Sequence, residues 1–543
     1  MNMNSPHHKN HDPGTASNRR QHPLKGKNQT PATKLRRLTC GVVGAAALAF
    51  TISTASAQTS ANADTVYDGW INAYLQNTNV NGHTYPVPYI CNSLTDRNKA
   101  FFWQQAYMIS AIEDGYDKTV NLTRLNMVTS LCASFMAQEG MDWTWDGWND
   151  DVEWAMIAMA HGYQITGNTS YRDAAAQNFN AVWTRGWSSD LGGGIWEKDT
   201  GTSKCVLSNA PFIIAGCMLY RATGDSTYLT RSQQAYTWMR SRCWNSSTGQ
   251  LVEGYGAGGN VLGQSSSTPT WGVGNSYNSG IFLQAADALY QVTGTSSYLS
   301  DAQLTVNWVV NNHSIMTEDH MNNGPFGSEE FFRGLSLFAR VHNLWGAYYP
   351  WLKANAQAAW NHRRTDYNIT ANNFNAATST GNLLAMETVS SMIVQQVTSI
   401  DPSGTFELSN AASGQCLNVS GASTASGAAI VQWPYDGGSN SLWHFILNPA
   451  NGSHQIVNLN SGLDAVVQNA STADGAKIIQ APFGTSGDDQ WLVALTISGN
   501  RNLINLKSGK LLENPGSSTA QGTQMDQWGS NRGSNQRWQF IRR

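Results

Sequence analysis

The chain has 543 residues, of which 41% are hydrophobic and 13% charged, and its formal net charge is -3. This length favours more than one domain. The slightly negative net charge gives no electrostatic reason to expect nucleic acid or an anionic membrane as a partner. With 21 Trp and 19 Tyr, the composition suits neutral, hydroxyl-rich ligands, although large aromatic cores would produce the same numbers.

The first 57 residues read as a secretory signal region. Lys34, Arg36 and Arg37 precede an apolar run over residues 42–52, and Ala55-Ser56-Ala57 offers a small-x-small cleavage site. The run is too short to span a bilayer, and no later segment qualifies. We therefore expect a secreted protein that does not span a membrane. Six cysteines follow this region, and their pairing cannot be deduced from their spacing.

Residues 58–398 carry a helical pattern with an internal repeat. A Thr-Gly pair followed three residues later by Tyr recurs at Thr166, Thr223 and Thr293, which are 57 and 70 residues apart. Glycine can end a helix in the left-handed conformation, so each unit is predicted to be an antiparallel helical hairpin. About six such hairpins fit the segment. We expect an all-α (α/α)6 toroid, with an open solenoid as the alternative.

The pattern changes after a short breaker at residues 399–404, which is predicted to be a linker. Residues 405–543 show short alternating strands, many Gly and Asn turns, and three copies of one unit. The copies close at Trp443, Trp491 and Trp538, at separations of 48 and 47 residues. Three all-β repeats with one buried Trp each predict a β-trefoil.

The segment Trp148-Asn149-Asp150-Asp151-Val152-Glu153-Trp154 carries the chemistry. Two adjacent carboxyl groups flanked by indoles suit glycosidic bond cleavage, in which one carboxyl protonates the leaving oxygen and the other stabilises or captures the sugar carbon. The alternative is that Asn149 caps a helix and the acids favour its positive end. In a first helical turn the two Cβ atoms would be roughly 5–6 Å apart, which suits a retaining pair.

This segment resembles the signature of the glycoside hydrolase family 76 endo-α-1,6-mannanases. Gly192-Gly193-Gly194-Ile195-Trp196, Ser208-Asn209 and Ser276-Tyr277-Asn278-Ser279-Gly280 are similar to later segments of that family. The resemblance spans about residues 62–370 and implies Asp150 as nucleophile and Asp151 as general acid/base, acting on α-1,6-mannan without metal or cofactor. Asn149, Glu197 and Ser279 depart from the family pattern, where an aromatic residue, a second Trp and a Gln stand.

Substrate contacts in the helical domain are expected from nine residues: Trp143, Trp148, Asn149, Trp154, Gly193, Gly194, Asn209, Tyr277 and Asn278. The glycines are expected to form a tight loop at the cleft. For Asn209, Tyr277 and Asn278, a structural role at helix ends is an equally open interpretation.

The C-terminal repeats resemble ricin B-type lectin modules, with Gln536-Arg537-Trp538 as an intact Gln-x-Trp motif. In that family each repeat can hold one sugar through an acid, an aromatic platform and a late amide. The matching residues here are Glu513, Trp528 and Asn535 in the third repeat and Asn418, Trp433 and Asn440 in the first. The second repeat has Val466 and Ala481 at the first two positions and is expected to be inactive, although Phe483 offers a ring. A trefoil that binds no sugar is the alternative.

Together these features predict a secreted, monomeric, retaining endo-α-1,6-mannanase with a lectin module that targets polysaccharide. Two alternatives stay open. A mannan transglycosidase would use the same site with a sugar as acceptor, and a non-catalytic carbohydrate-binding protein would not need Asp150 or Asp151 at all.

Overall fold

The computed structural model describes residues 59–80, 82–271, 276–317 and 327–543. The predicted signal region and Gln58 lie outside these residues.

A ring of helices forms the first domain, and twelve helices lie within the described residues. They are α1 (Ser60–Tyr74), α2 (Phe102–Thr119), α3 (Leu122–Glu139), α4 (Asn149–Thr166), α5 (Thr169–Gly186), α6 (Ala210–Thr223), α7 (Ser226–Cys243), α8 (Ser276–Thr293), α9 (Ser296–Asn312), α10 (Glu329–Val341), α11 (Trp345–Asn361) and α12 (Met386–Thr398). The even-numbered helices form an inner ring that α12 closes by packing on α2, and each odd-numbered helix packs outside. The predicted (α/α)6 toroid is therefore confirmed, and an open solenoid is wrong because the ring closes.

The Thr-Gly repeat forms the helical turns that the sequence predicts. Gly167, Gly224 and Gly294 end α4, α6 and α8 with φ of 75°, 76° and 74°, a conformation that suits glycine. The next helix begins at once, because Asn168 and Asp225 accept hydrogen bonds from backbone N–H groups of the following first turns. These local signals set the hairpin geometry that repeats around the ring.

Two small antiparallel pairs interrupt the helices and were not predicted. β1 (Leu75–Gln76) pairs with β2 (Tyr89–Ile90), and β3 (Ser203–Cys205) pairs with β4 (Gly254–Gly256). The β3–β4 pair lies in loops that precede the inner helices α6 and α8, and it braces the segment around Glu197 because Glu197 N–H donates to Ser203 O at 2.8 Å.

The C-terminal domain is an all-antiparallel β-trefoil. Its strands are β5 (Thr405–Asn410), β6 (Cys416–Val419), β7 (Ile430–Trp433), β8 (Leu442–Asn448), β9 (Ser453–Asn458), β10 (Asp464–Val467), β11 (Ala476–Ala481), β12 (Trp491–Leu495), β13 (Arg501–Asn505), β14 (Leu511–Glu513), β15 (Asp526–Trp528) and β16 (Trp538–Arg542). The indole N–H groups of Trp443, Trp491 and Trp538 donate to backbone carbonyls of Leu417, Ala465 and Leu512 at 2.9, 2.9 and 3.1 Å. Each closing Trp is fully buried, so the threefold core follows the repeat seen in the sequence.

The two domains share part of their core. All described residues belong to one compact unit, and Leu492, Ala494, Ile504 and Leu511 of the trefoil pack within the hydrophobic cluster of the toroid. The six cysteines among the described residues are buried free thiols. Among the helices described, none has the length and apolar character needed to cross a membrane.

Candidate active site

Asp150 and Asp151 lie in the first turn of the inner helix α4. Trp148 caps this helix in an extended conformation, and its backbone N–H donates to Asp146 Oδ1 at 2.9 Å. Asn149 N–H donates to Glu197 O at 2.8 Å, which ties the helix start to the loop after the three glycines. Asn149 is therefore the first helical residue, and the interpretation of Asn149 as the cap is wrong.

Both aspartates face one aromatic cleft of about 330 Å³. Its lining is Phe101, Trp103, Trp148, Asp150, Asp151, Trp154 and Leu207. Trp148 is 40% exposed. The Lys198 ammonium lies over its ring at 4.7 Å, and the exposed part of the indole is available to a sugar ring. Trp154 is buried at the base, where its ring meets the edge of Tyr107 at a centroid distance of 4.8 Å. The structure thus places both neighbouring acids, Trp148 and Trp154 at a single opening.

Burial and neighbouring acids hold protons on this carboxyl pair. Burial, followed by the charges of Asp150 and Asp146, raises the pKa of Asp151 to about 9. Burial, followed by the charge of Glu197, raises the pKa of Asp150 well above its usual range. Two adjacent carboxylates resist ionising together, so the pair keeps at least one proton at neutral pH. One group can then act as an acid while the other is a carboxylate.

Several residues around the pair were missed as site residues by the sequence analysis. Phe101 and Trp103 line the cleft from the start of α2, and Leu207 lines it from just before α6. The sequence feature that could have identified them is an aromatic or apolar residue at the N-terminal end of an inner helix. The N-terminal ends of the inner helices meet at the cleft. Asp146 and Glu197 act on the pair through their charge, which only the folded chain reveals.

Asn149 is a structural residue rather than a sugar contact, which corrects the prediction. Its side chain is fully buried. The amide Nδ2 donates to Trp196 O at 2.7 Å, and Oδ1 accepts from Arg185 Nε at 2.7 Å. Because both ends of the amide are occupied within the protein, Asn149 fixes the start of α4 against the loop that carries Trp196.

The glycine loop supports the site from behind, so Gly193 and Gly194 are not part of the described cleft lining. Gly193 and Gly194 have φ of 119° and 86°, and a Cβ on Gly194 would lie 2.4 Å from the ring of Trp238. The buried Lys204 ammonium donates to the carbonyl oxygens of Gly193 and Asp190 at 2.7 and 2.8 Å. Burial lowers the pKa of Lys204 to about 8, and these contacts hold the loop in its tight shape.

Four further expected contacts lie away from the described cleft lining. Trp143 is fully buried against Phe102 and Phe135, so its ring cannot stack on a sugar, and that prediction is wrong. Asn209 is also buried; its Oδ1 accepts from Ile195 N–H at 2.9 Å and its Nδ2 donates to Cys205 O at 2.8 Å. Asn209 therefore has the structural role that the sequence left open.

Tyr277 and Asn278 begin the inner helix α8, whose N-terminal end belongs to the same side of the ring as Asp150. Both side chains are fully buried. Among the described residues, neither polar atom of the Asn278 amide has a hydrogen-bond partner. Their expected contact with substrate stays a prediction.

The trefoil presents two exposed indoles beside buried polar groups. Trp528 is 44% exposed, and the nearby Glu513 carboxylate accepts hydrogen bonds from Asn535 Nδ2 at 3.2 Å and Gln536 Nε2 at 2.8 Å. This is the arrangement of platform, acid and amide that the third repeat predicts. Sugar binding there stays a prediction.

The first and second repeats differ at the same positions. Trp433 is 40% exposed, Asn418 Nδ2 donates to Ser441 Oγ at 2.7 Å, and Asn440 Nδ2 donates to Val419 O at 3.2 Å. In the second repeat Val466 is buried and Ala481 provides no ring, although Phe483 is exposed. The first repeat thus keeps an open platform, and the second lacks one at the equivalent position.

A closed ring of helical hairpins with two buried neighbouring acids in an aromatic cleft, followed by a β-trefoil, defines a glycoside hydrolase with an appended lectin-type module. Residues 58–402 match glycosyl hydrolase family 76, and residues 395–481 and 487–543 match the ricin-type β-trefoil lectin domain-like family. The chain belongs to glycosyl hydrolase family 76. No curated protein matches the chain.

Solved structures share the fold of the first domain. The GH76A α-1,6-mannanase of Salegentibacter sp. HEL1_6 is 21% identical, with a TM-score of 0.52, and the match covers 62% of this chain and 98% of that one. A family 76 glycoside hydrolase from a bovine Bacteroides thetaiotaomicron strain is 18% identical, with a TM-score of 0.52, and covers 63% and 77%. At these identities the likeness establishes the fold.

Proposed function

We propose that this protein is a secreted, monomeric, retaining endo-α-1,6-mannanase whose trefoil binds polysaccharide. The observation that carries the proposal is the placement of Asp150 and Asp151 in the first turn of α4, facing one aromatic cleft. An inactive variant of the Salegentibacter α-1,6-mannanase, in which two successive aspartates are replaced by alanine, was solved in complex with α-1,6-mannotetraose. That relative supports the substrate and the importance of such a pair.

The first step uses the two carboxyl groups in opposite protonation states. Asp150 attacks the anomeric carbon as a carboxylate, while protonated Asp151 donates its proton to the leaving glycosidic oxygen. The glycosidic C–O bond breaks, a mannosyl ester forms on Asp150, and the leaving chain departs with a new hydroxyl. The raised pKa of Asp151 keeps this acid protonated at neutral pH.

The second step reverses the roles of these groups. Asp151, now a carboxylate, takes a proton from water, and the water oxygen displaces Asp150 from the anomeric carbon. Two inversions retain the anomeric configuration. Trp148 and Phe101 both line the cleft and are exposed. An opening flanked by two exposed aromatic rings suits an internal stretch of a chain, which supports endo action.

Isosteric amide variants of the full chain test this proposal. Asp150→Asn and Asp151→Asn each keep the side-chain shape but remove the nucleophile or the acid, so we expect a loss of about 10²–10⁴-fold in kcat on α-1,6-mannan. Asp142→Asn is the matched control, because Asp142 lies exposed just upstream of the pair. Release of reducing ends gives the rate, and NMR of the first product gives its anomeric configuration.

Each contradicting outcome has its own meaning. Products longer than the substrate would indicate a transglycosidase. An unchanged rate in both amide variants would remove the two aspartates from the mechanism. Absence of any cleavage by the unaltered protein, with binding retained, would indicate a non-catalytic binding protein.

A further inference from the structure

The inner helices of the toroid all run in one direction, which gives the ring two distinct ends. Phe101, Asp150 and Leu207 lie at the N-terminal ends of α2, α4 and α6, and all three line the cleft. The trefoil contacts the opposite ends of the same ring. Gln164, near the C-terminal end of α4, donates to Ile497 O at 3.0 Å, and Gln291, near the end of α8, accepts from Ile497 N–H at 3.1 Å.

The trefoil is docked on this end rather than tethered to it. The supposed linker is bonded to the end of α2, since Asp401 N–H donates to Lys118 O and Ser403 N–H donates to Thr119 O, both at 2.8 Å. Arg501 of β13 pairs with Asp117 of α2 at 2.9 Å, and both side chains are buried. A linker held at two backbone positions cannot act as a swinging tether.

The β12–β13 hairpin closes the far end of the ring. A cavity of about 140 Å³ runs along the axis of the toroid between Trp154, which also lines the cleft, and Val493, Leu495 and Ile497 of the trefoil. The α4 helix that joins these two levels has 18 residues, which corresponds to a length of about 27 Å. The catalytic acids and the trefoil are therefore separated by the full height of the ring.

The two exposed indoles of the trefoil belong to hairpins other than the two that dock most closely. The docking contacts come from the β8–β9 turn, where Trp345 Nε1 donates to Asn451 O at 2.7 Å, and from the β12–β13 hairpin. The segment after β15 adds a third contact, because the Arg532 guanidinium lies over the Tyr290 ring of α8 at 5.5 Å. Trp433 ends β7 and lies next to Gly522, and Trp528 ends β15 and lies next to Gly475. Both rings rest on the trefoil itself and stay open to solvent.

We infer that the cleft and the trefoil platforms hold two different glycan strands at the same time, in a fixed arrangement at opposite ends of one rigid molecule. This inference rests on the proposed function. Docking gives the trefoil no freedom to bring its strand to the cleft, and the height of the ring separates the strand that is held from the strand that is cut. The trefoil thus retains the enzyme on a multi-strand matrix and does not lengthen the cleft.

A two-strand capture experiment tests the inference with the full chain. The Asp150→Asn, Asp151→Asn double variant is bound to insoluble α-1,6-mannan particles, and fluorescent α-1,6-mannotetraose is added. We expect about one tetraose captured per particle-bound protein, because the trefoil holds the particle and leaves the cleft free. Adding Trp433→Ala and Trp528→Ala is expected to lower particle binding about tenfold or more, since only the cleft can then hold the particle. Co-capture should be abolished, because tetraose and particle then compete for the cleft.

A covalent lock tests the rigidity. Gln164→Cys and Gly499→Cys place two thiols across the interface, where a Cβ at Gly499 would lie 2.7 Å from Gln164 Cβ; the turn has to open by about 1 Å for a disulfide. Co-capture by the oxidised protein should match that by the same protein after reduction, with mass spectrometry reporting bond formation.

Three results would overturn the inference. In the capture experiment, these are release of the protein from the particles by tetraose, or a failure of the protein to bind the particles. In the disulfide experiment, it is a loss of co-capture on oxidation that reduction restores. The proposed function fails separately, through lack of mannan cleavage by the unaltered protein.

Discussion

At the residue scale, the acidity of the proposed catalytic pair, Asp150 and Asp151, is set by other acids as well as by burial. Asp146 lies buried near Asp151, and its Oδ1 accepts a hydrogen bond from Trp148 N–H at 2.9 Å. Its negative charge is one of the causes that raise the pKa of Asp151 to about 9. A general acid must be protonated to act, so Asp146 extends the pH range in which Asp151 can donate.

We therefore expect Asp146→Asn to move the alkaline limb of kcat/KM to lower pH. The protonated form of Asp151 is active below its pKa and is lost as the pH rises through it; removing a neighbouring negative charge lowers that pKa, by about 1 unit. The amide keeps an acceptor for Trp148 N–H. Initial rates on α-1,6-mannan from pH 5 to 10 measure the shift, and Asp142→Asn, with its exposed side chain, is the control. A limb that stays in place would show that Asp146 does not act on the acid.

The sequence could identify the acidic pair because Asp150 and Asp151 share the cleft with Trp148 and Trp154, which are also their neighbours in the chain. Trp143, Asn149 and Asn209 are close to the site along the chain, yet their side chains turn inward and are fully buried. Which way a loop side chain turns depends on distant partners, such as Arg185 for Asn149. Residue type and spacing alone therefore selected too many sugar contacts.

At the element scale, the glycine loop and the Lys204 ammonium form one supporting unit. Gly192 and Gly194 both have positive φ, at 87° and 86°, but only Gly194 faces a neighbour. A Cβ at Gly192 meets nothing within 4 Å, whereas a Cβ at Gly194 meets the buried Trp238 ring. The two positions thus separate the cost of backbone strain from the cost of a steric clash.

Alanine at each glycine should give different losses of stability. Gly192→Ala is expected to cost about 1 kcal/mol, the strain of a left-handed non-glycine residue. Gly194→Ala is expected to cost about 3 kcal/mol or more, because Trp238 must also move. Urea unfolding of both variants measures the difference. Equal losses would mean that the loop can shift away from Trp238, and that Lys204 does not hold it tightly.

The tryptophans of the trefoil divide into platforms and core residues in the same way. Trp528 is exposed, whereas Trp538 is fully buried and donates to Leu512 O. Trp538→Ala is expected to lower the free energy of unfolding by about 3–5 kcal/mol, and Trp528→Ala by less than about 1 kcal/mol. Only Trp528→Ala should weaken retention on mannan particles while the protein stays folded. A large loss of unfolding free energy in Trp528→Ala would instead show that this indole has a structural role.

At the scale of the whole molecule, the sequence predicted both folds because each is built from local repeats. Thr-Gly turns specify helical hairpins, and evenly spaced Trp residues specify trefoil units. The docking of one domain on the other could not be predicted, because it depends on pairs such as Asp117 and Arg501, which are 384 residues apart. No local period relates such positions, and the Pro and Gly of residues 399–404 predicted only a linker.

The shared core and the buried ion pair predict that heat unfolds the two domains together. Arg501→Met keeps the apolar stem but leaves Asp117 without its partner from the trefoil, and breaking a buried pair typically costs about 3–5 kcal/mol. His161, whose Nε2 lies 3.0 Å from Asp117 Oδ2, compensates in part, so we expect a loss near about 3 kcal/mol. Lys353→Met is the matched control at the same interface, because its ammonium donates to Pro449 O in an exposed position, and it should cost less than about 0.5 kcal/mol.

Differential scanning calorimetry of the unaltered protein, Arg501→Met and Lys353→Met should show one transition in each, at a lower temperature for Arg501→Met. Two separate transitions in the unaltered protein would mean that toroid and trefoil are energetically independent. The contacts between the two domains would then be too weak to hold the cleft and the trefoil platforms in a fixed arrangement.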